Sequence, residues 1–404
     1  MTYYKVLNMQ KLTYGLTLLA CLLTLPAMAQ EPEQQPPEDD PIYDRPFITA
    51  FGGGRTAVGG YVEGNTNYFS EDGVSEGFSM ELRRFNLFLY SSIGSRITFF
   101  SELEFEHGTE EIKLETALID FEINPALVLR GGILLPPLGT FNQNHDSPKW
   151  DFIDRPLVST QILPATLSEV GFGVHGRFFS NAMNVGYQAY VVNGLGDGVI
   201  SNEEGRTFLP GGKNEEMFAE DNNGSPAFTA RISAQRSGLG EIGLSYYTGA
   251  YNSFRVEGEE VADKQSLSIL ALDFSAERWG VTVQGEAALA RVDVPESLAE
   301  VFGDEQRGGF VEVIVPVLQT KLFGLDDAVW NANVRLEHID YNVGTFASTG
   351  ATIYDDIDAL VLGTSFRPTS ETVFKANYRY HWIRDLLGNP ARLGGFQVGF
   401  ATYF

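Results

Sequence analysis

The side chains able to do chemistry in this chain sit at every second position of short, otherwise apolar stretches. Between Arg96 and His107, Glu102, Glu104 and Glu106 alternate with Leu103 and Phe105; between Phe374 and Trp382, Lys375, Asn377, Arg379 and His381 alternate with apolar, mostly aromatic residues. A period of two puts the polar set on one face of a strand and the apolar set on the other. A face of that kind lines a wetted surface with fixed charge, and its chemistry is attracting and passing ions rather than making bonds. The signatures of bond-making are absent. His107, His145, His175, His338 and His381 are scattered with no pair at metal-ligand spacing, and Cys21 is the one cysteine. There is no Gly-rich phosphate loop with its lysine. Asp221-Asn222-Asn223-Gly224 and Asp355-Asp356-Ile357-Asp358 carry Ca²⁺-binding residue types without EF-hand spacing and read as solvated acidic loops. No catalytic residue, cofactor or metal is therefore expected.

The elements that must position these charges are strands of a closed barrel. After Leu25 no apolar run is long enough to span a bilayer as a helix, and the alternative for a membrane chain is a barrel without open edges. Strand-like segments begin near Thr56, Met80, Arg96, Ile112, Ala126, Val170, Ala182, Ala227, Ile242, Leu267, Val281, Phe310, Val329, Ile357 and Phe374. The closing stretch alternates Phe396, Val398, Phe400 and Phe404. Together they predict an all-β, transmembrane antiparallel β-barrel of about sixteen strands, an even number as such barrels require. Connections alternate between short turns such as Ser92–Ser95 and long loops such as Pro136–Ser168. That asymmetry fits short periplasmic turns and long extracellular loops. Energetics choose the faces: a charge on the lipid side costs up to about 2–4 kcal/mol for Arg, less for acids, so the charged faces turn to the lumen.

Two places break the alternation. Adjacent Arg83 and Arg84 cannot both face inward from a regular strand, so one of them is expected to snorkel at the rim. Between Leu114 and Ile123 the apolar phase slips, which a β-bulge near Leu118 would explain.

Residues 1–29 read as a secretory signal peptide, with Lys5 and Lys11, an apolar core from Leu12 to Leu25 and an Ala27-Met28-Ala29 cleavage pattern. A rival reading takes Leu18-Leu19-Ala20-Cys21 as a lipoprotein site that would leave Cys21 lipidated. Residues 30–46 form an acidic, Pro-rich linker expected to be extended or disordered, and residues 47–404 the barrel. The net charge of −25 argues against a nucleic-acid partner, whose phosphates demand a basic surface.

Around Arg130 the chain reads LRGGILLPPLGTFNQNHDSPKWDFIDRPLVSTQILPATLSEVGFGVHGRF. Gly132, Pro137 and Gly139, then Phe152 with Asp154-Arg155, then Gly171, Gly173 and Gly176 resemble the phosphate-selective porin O and P family over roughly residues 125–195. The resemblance implies a sixteen-stranded, trimeric outer-membrane barrel whose residues 136–168 fold inward as a constriction loop, in contact with outer-membrane lipid and lipopolysaccharide. That loop offers Asn142, Asp146, Lys149, Asp151, Asp154 and Arg155. The family's frequent basic residue three positions after the first glycine is Leu135 here, so phosphate selectivity is not carried over. The expected pore wall is mixed: Arg84, Arg96, Arg130, Arg177, Arg335, Lys375 and Arg379 against Glu102, Glu104 and Glu337. The expected function is a non-enzymatic diffusion pore for small hydrophilic solutes or ions with weak or mixed charge selectivity. The alternatives are an anion- or phosphate-selective porin and, from another class, an adhesive or structural barrel or a barrel hydrolase.

Overall fold

Alternation closes the chain on itself. The computed structural model describes residues 40–50, 55–180, 183–322 and 324–404; the expected signal peptide, Cys21 and residues 30–39 lie outside them. Sixteen strands form a closed barrel in which each pairs antiparallel with its sequence neighbours and the last pairs with the first. They are β1 (Thr56–Glu71), β2 (Val74–Ser92), β3 (Ile97–Glu106), β4 (Glu111–Asn124), β5 (Leu127–Leu134), β6 (Glu169–Phe179), β7 (Asn184–Val192) and β8 (Ala227–Arg236), followed by β9 (Gly240–Ala250), β10 (Ser266–Arg278), β11 (Val281–Val292), β12 (Glu305–Leu322), β13 (Leu325–Asp340), β14 (Asp356–Arg367), β15 (Thr372–Arg384) and β16 (Pro390–Tyr403). No helix among the described residues is long and apolar enough to cross a membrane.

The faces sort as the energetics demand. On β15, Phe374 and Trp382 are 51% and 40% exposed on the outside, whereas Lys375, Arg379 and His381 are buried inside. Strands β2, β12 and β13 begin several residues before the apolar signal at Met80, Phe310 and Val329, because hairpin hydrogen bonding continues past the greasy band. One rim carries short turns. The other carries five long connections, residues 135–168, 193–226, 251–265, 293–304 and 341–355, but also three short ones at 72–73, 107–110 and 385–389. The division by rim is thus less strict than the sequence suggested.

Both irregular places are β-bulges. Glu63 faces Arg84 and Gly64 faces Leu82, which leaves Arg83 as an extra residue of β2. Arg83 and Arg84 therefore both turn inward, and the expected snorkelling at the rim is corrected: one inserted residue lets neighbours share a face. On β4, Thr116 faces Glu102 and Leu114 faces Leu103, so the bulged residue is Glu115, three positions before Leu118. Glu115 and Thr116 are buried side by side in the lumen.

The interior is packed rather than hollow along much of its length. Residues 135–168 run inside the barrel, where Phe141 stacks on Trp150 at 4.1 Å and Val158, Ile162 and Leu163 are buried. Each such side chain contributes roughly 1.5–3 kcal/mol. A short helix, α1 (Pro46–Ala50), and the turn before it also lie within. Ile42, Tyr43 and Arg45 are buried and Phe47 stacks on Phe88 at 5.6 Å. Residues 40–46 thus form a peg inside the lumen instead of belonging to an extended linker. Composition misled here because Ile42, Tyr43, Phe47 and Ile48 offer enough apolar surface to offset the ordering of a short segment.

Candidate functional site

The inward loop is held by charge on three sides. Asp151 accepts hydrogen bonds from Ser365 Oγ at 2.6 Å and Arg367 Nε at 3.0 Å, both on β14. Asp154 accepts from Arg83 Nη1 of β2 at 2.8 Å, Arg379 Nη1 of β15 at 3.0 Å and Gln397 Nε2 of β16 at 2.7 Å. Lys375 Nζ donates to the Ser147 and Phe152 carbonyls at 2.8 and 3.0 Å. The Leu157 amide, at the start of α2 (Leu157–Gln161), donates to Glu337 at 2.5 Å, and Ser159 Oγ donates to Glu286 at 2.6 Å. Asn142 closes the loop on itself, donating to the Pro136 and Leu167 carbonyls at 2.7 and 3.0 Å.

The peg completes the packing. Arg45 lies 2.9 Å from Asp146 and 3.3 Å from Glu102, with its guanidinium over the Phe88 and Phe100 rings. Asp40 pairs with Arg130 at 2.9 Å, Tyr43 donates to Asp120 at 2.7 Å, and Lys149 meets Asp44 at 3.1 Å. Burial opposes the ionisation of Asp146, yet Arg45 outweighs it and holds the carboxyl below its ordinary value. A buried pair of this kind is strongly destabilising to break, because the surviving charge is left without a partner.

Loop, peg and wall leave a cavity of about 300 Å³. Its charged lining is Arg83, Arg84, Arg155 and Arg379 against Glu63 and Asp154. Arg83 and Arg84 both reach Glu63, at 3.9 and 3.4 Å. Arg155 differs. Its guanidinium donates to Thr166 Oγ1 at 2.8 Å and to the His145 carbonyl at 3.3 Å, and it forms no carboxylate ion pair among the described residues. Burial, and after it the neighbouring Arg84, pushes its pKa down from the ordinary value.

The expected site residues divide accordingly. Arg84, Glu102, Glu104, Arg130, Arg335, Glu337, Lys375 and Arg379 have their side chains inside the barrel, nearly all of them buried and paired. Arg177 is half-buried beside Arg231 and lines a second, much smaller cavity. Arg96 is corrected: it is exposed in the turn before β3, because that strand begins at Ile97, one residue after the alternation was projected to start. Of the loop residues, Asn142 is internal, Asp146 and Lys149 hold the peg, Asp151 and Asp154 hold the wall, and Arg155 faces the cavity. Glu63 lies in the lumen, as its place in the alternation implied, whereas the inward positions of Arg83, Glu115 and Arg45 were not anticipated. The paired arginines and the phase slip on β4 were visible signals for Arg83 and Glu115; nothing local announced that Arg45 would enter the lumen.

No family model matches the chain. An uncharacterised protein of Aquifex aeolicus is 27% identical over 359 residues, 82% of this chain and 77% of that protein. Among solved structures, the outer-membrane channel DcaP of Acinetobacter baumannii aligns with a TM-score of 0.57 at 13% identity, covering 86% of this chain and 97% of DcaP. An anion-selective porin from Comamonas acidovorans aligns with a TM-score of 0.54 at 12% identity, covering 86% and 99%. The fold is therefore that of outer-membrane porins. The finer likeness to the O and P family remains confined to the motifs of residues 125–195.

Proposed function

We propose that this chain is an outer-membrane channel through which small hydrophilic solutes diffuse passively, with a preference for anions set at the constriction. The observation that carries the reading is Arg155 in the cavity beside the inward loop: Arg83, Arg84 and Arg379 there are each ion-paired, whereas Arg155 has no carboxylate partner among the described residues. Fixed charge in a narrow, poorly screened passage decides which ions enter. The paired cations elsewhere on the wall brace it, so the mixed wall expected from sequence is a poorer guide to selectivity than this one place. The apolar outside and closed hydrogen bonding suit a bilayer. Export through residues 1–29, outer-membrane placement against lipid and lipopolysaccharide, and assembly as a homotrimer belong to the same proposal, the last supported by the family resemblance and by a structurally similar Vibrio cholerae outer-membrane protein described in a trimer form.

Planar-bilayer recordings across a salt gradient test it. The expected result is ohmic conductance with a reversal potential on the anion side, shifted toward zero by Arg155→Gln. A folded barrel without conductance would favour a structural or adhesive role. A cation-side reversal potential would overturn the selectivity.

A further inference from the structure

Three ligating side chains converge where the loop and wall meet. Glu102 comes from β3, Glu115 from β4 and His145 from the loop; all are buried, and one ligating atom of each lies within 4.8 Å of the others. His145 Nε2 stands 3.2 Å from Glu102 Oε1 and 3.0 Å from Glu115 Oε2. Ligand bonds of about 2.0–2.2 Å place neighbouring donors of a tetrahedral site roughly 3.3 Å apart, so these separations already suit one ion. The second nitrogen of the ring, Nδ1, lies 3.1 Å from the Asn142 carbonyl. A carbonyl can only accept, so Nδ1 carries the hydrogen and Nε2 is the atom turned toward the carboxylates. That is how metal-binding histidines are oriented, and the bond from Asn86 Nδ2 to Glu102 Oε1 at 2.7 Å fixes the carboxylate likewise.

Two further observations ask for a cation here. Glu115 points inward only because β4 bulges at that residue, and its buried Oε2 faces the His145 ring nitrogen with no other hydrogen-bond donor among the described residues. Within ion-pairing distance of one another the cluster holds three carboxylates, Glu102, Glu115 and Asp146, and one guanidinium, Arg45. One guanidinium does not balance three carboxylates, and a divalent ion held between Glu102, Glu115 and His145 would offset the excess of acid. Buried charge left uncancelled is costly.

We propose that Glu102, Glu115 and His145 bind a single divalent cation of the zinc class and thereby pin the inward loop to the β3–β4 wall. One imidazole and two carboxylates are borderline donors that suit zinc, whereas calcium and magnesium favour all-oxygen sets. His145 also lines the large cavity, which gives the ion a route from the lumen. The site does not depend on whether the barrel conducts.

Calorimetric titration of the full chain, folded in detergent and stripped with a chelator, tests this with ZnCl₂ and with MgCl₂ as control. One zinc per chain is expected, with no saturable magnesium binding. Glu115→Gln and His145→Gln should each weaken zinc at least tenfold, while Glu260→Gln, an exposed residue of the 251–265 loop, leaves it unchanged. X-ray absorption of the zinc-loaded wild type should show one imidazole among oxygen ligands. A wild-type barrel that binds no zinc overturns the proposal, as does zinc held equally well by both ligand variants or a spectrum without imidazole. The wild-type arms need no substitution, so misfolding of a variant cannot hide the answer.

Discussion

Asp154 fastens the loop to three strands at once, through Arg83, Arg379 and Gln397. Burial pushes its carboxyl up, but Arg379 and Arg83 outweigh that and hold it below the ordinary value of 3.8. A carboxyl whose pKa is depressed by folding contributes stability that is present above the unfolded value and lost as pH falls through the folded one. The loop should therefore stay docked from neutral pH down to about pH 4, and loosen only in stronger acid, below the ordinary carboxyl value of 3.8. Hydrogen exchange of residues 150–156 against pH reads this directly, and loosening already at pH 6 would contradict it. Asp154→Asn should loosen the loop at neutral pH by roughly 1–3 kcal/mol, because Arg83 and Arg379 lose a shared partner while keeping Glu63, Glu81 and Glu337.

Bulges place several of the lumen's most telling charges, and they do so without disturbing the strands around them. On β4, Leu114 already points out and Thr116 already points in. Removing Glu115 would therefore restore plain alternation and flip nothing. Deletion of Glu115 should leave a barrel with the unboiled, fast-migrating gel band of the wild type. Deletion of Leu103 on β3 should abolish that band, since a one-residue slip exchanges the two faces of everything beyond it and sends Glu104 and Glu106 to the outside. Equal behaviour of the two deletions would show that the bulge is not the device assigned here. The inward loop and the peg are elements of another kind. Neither is held by a sheet ladder, and their positions come from buried aromatic contacts and ion pairs with distant strands.

At the scale of the whole molecule, closure at one seam decides whether there is an inside at all. β16 meets β1 over eleven residue pairs, from Tyr61 with Tyr403 to Glu71 with Leu393. Backbones come very close there: a Cβ on Gly395 would sit 2.2 Å from the Tyr68 carbonyl oxygen and 2.5 Å from the Phe69 ring. Gly395→Val should therefore strain the seam and lower the temperature at which the barrel loses its fast-migrating form, by several degrees or more; an unchanged transition would remove the seam from this account. Closure is also what sets the loop, the peg and strands from opposite walls within reach of one another.

How far the sequence alone reaches follows from the range of the interactions. Side-chain alternation is a property of neighbouring residues, so the sixteen-stranded barrel, its charged interior and even the slip on β4 were legible in the sequence, while the inward segment after β5 was expected from the family resemblance. The partners of those charges were not. Arg45 with Asp146, Asp154 with Arg379 and His145 with Glu115 are separated by 101, 225 and 30 positions, and no local pattern encodes such meetings. By itself the sequence determined which face of each regular strand turns inward, because a charge in lipid is prohibitively costly, but not the direction of residues at bulges and strand ends such as Arg83 and Arg96. Only the tertiary structure decided what each inward charge touches, because that depends on closing the cylinder and on which segments then fill it.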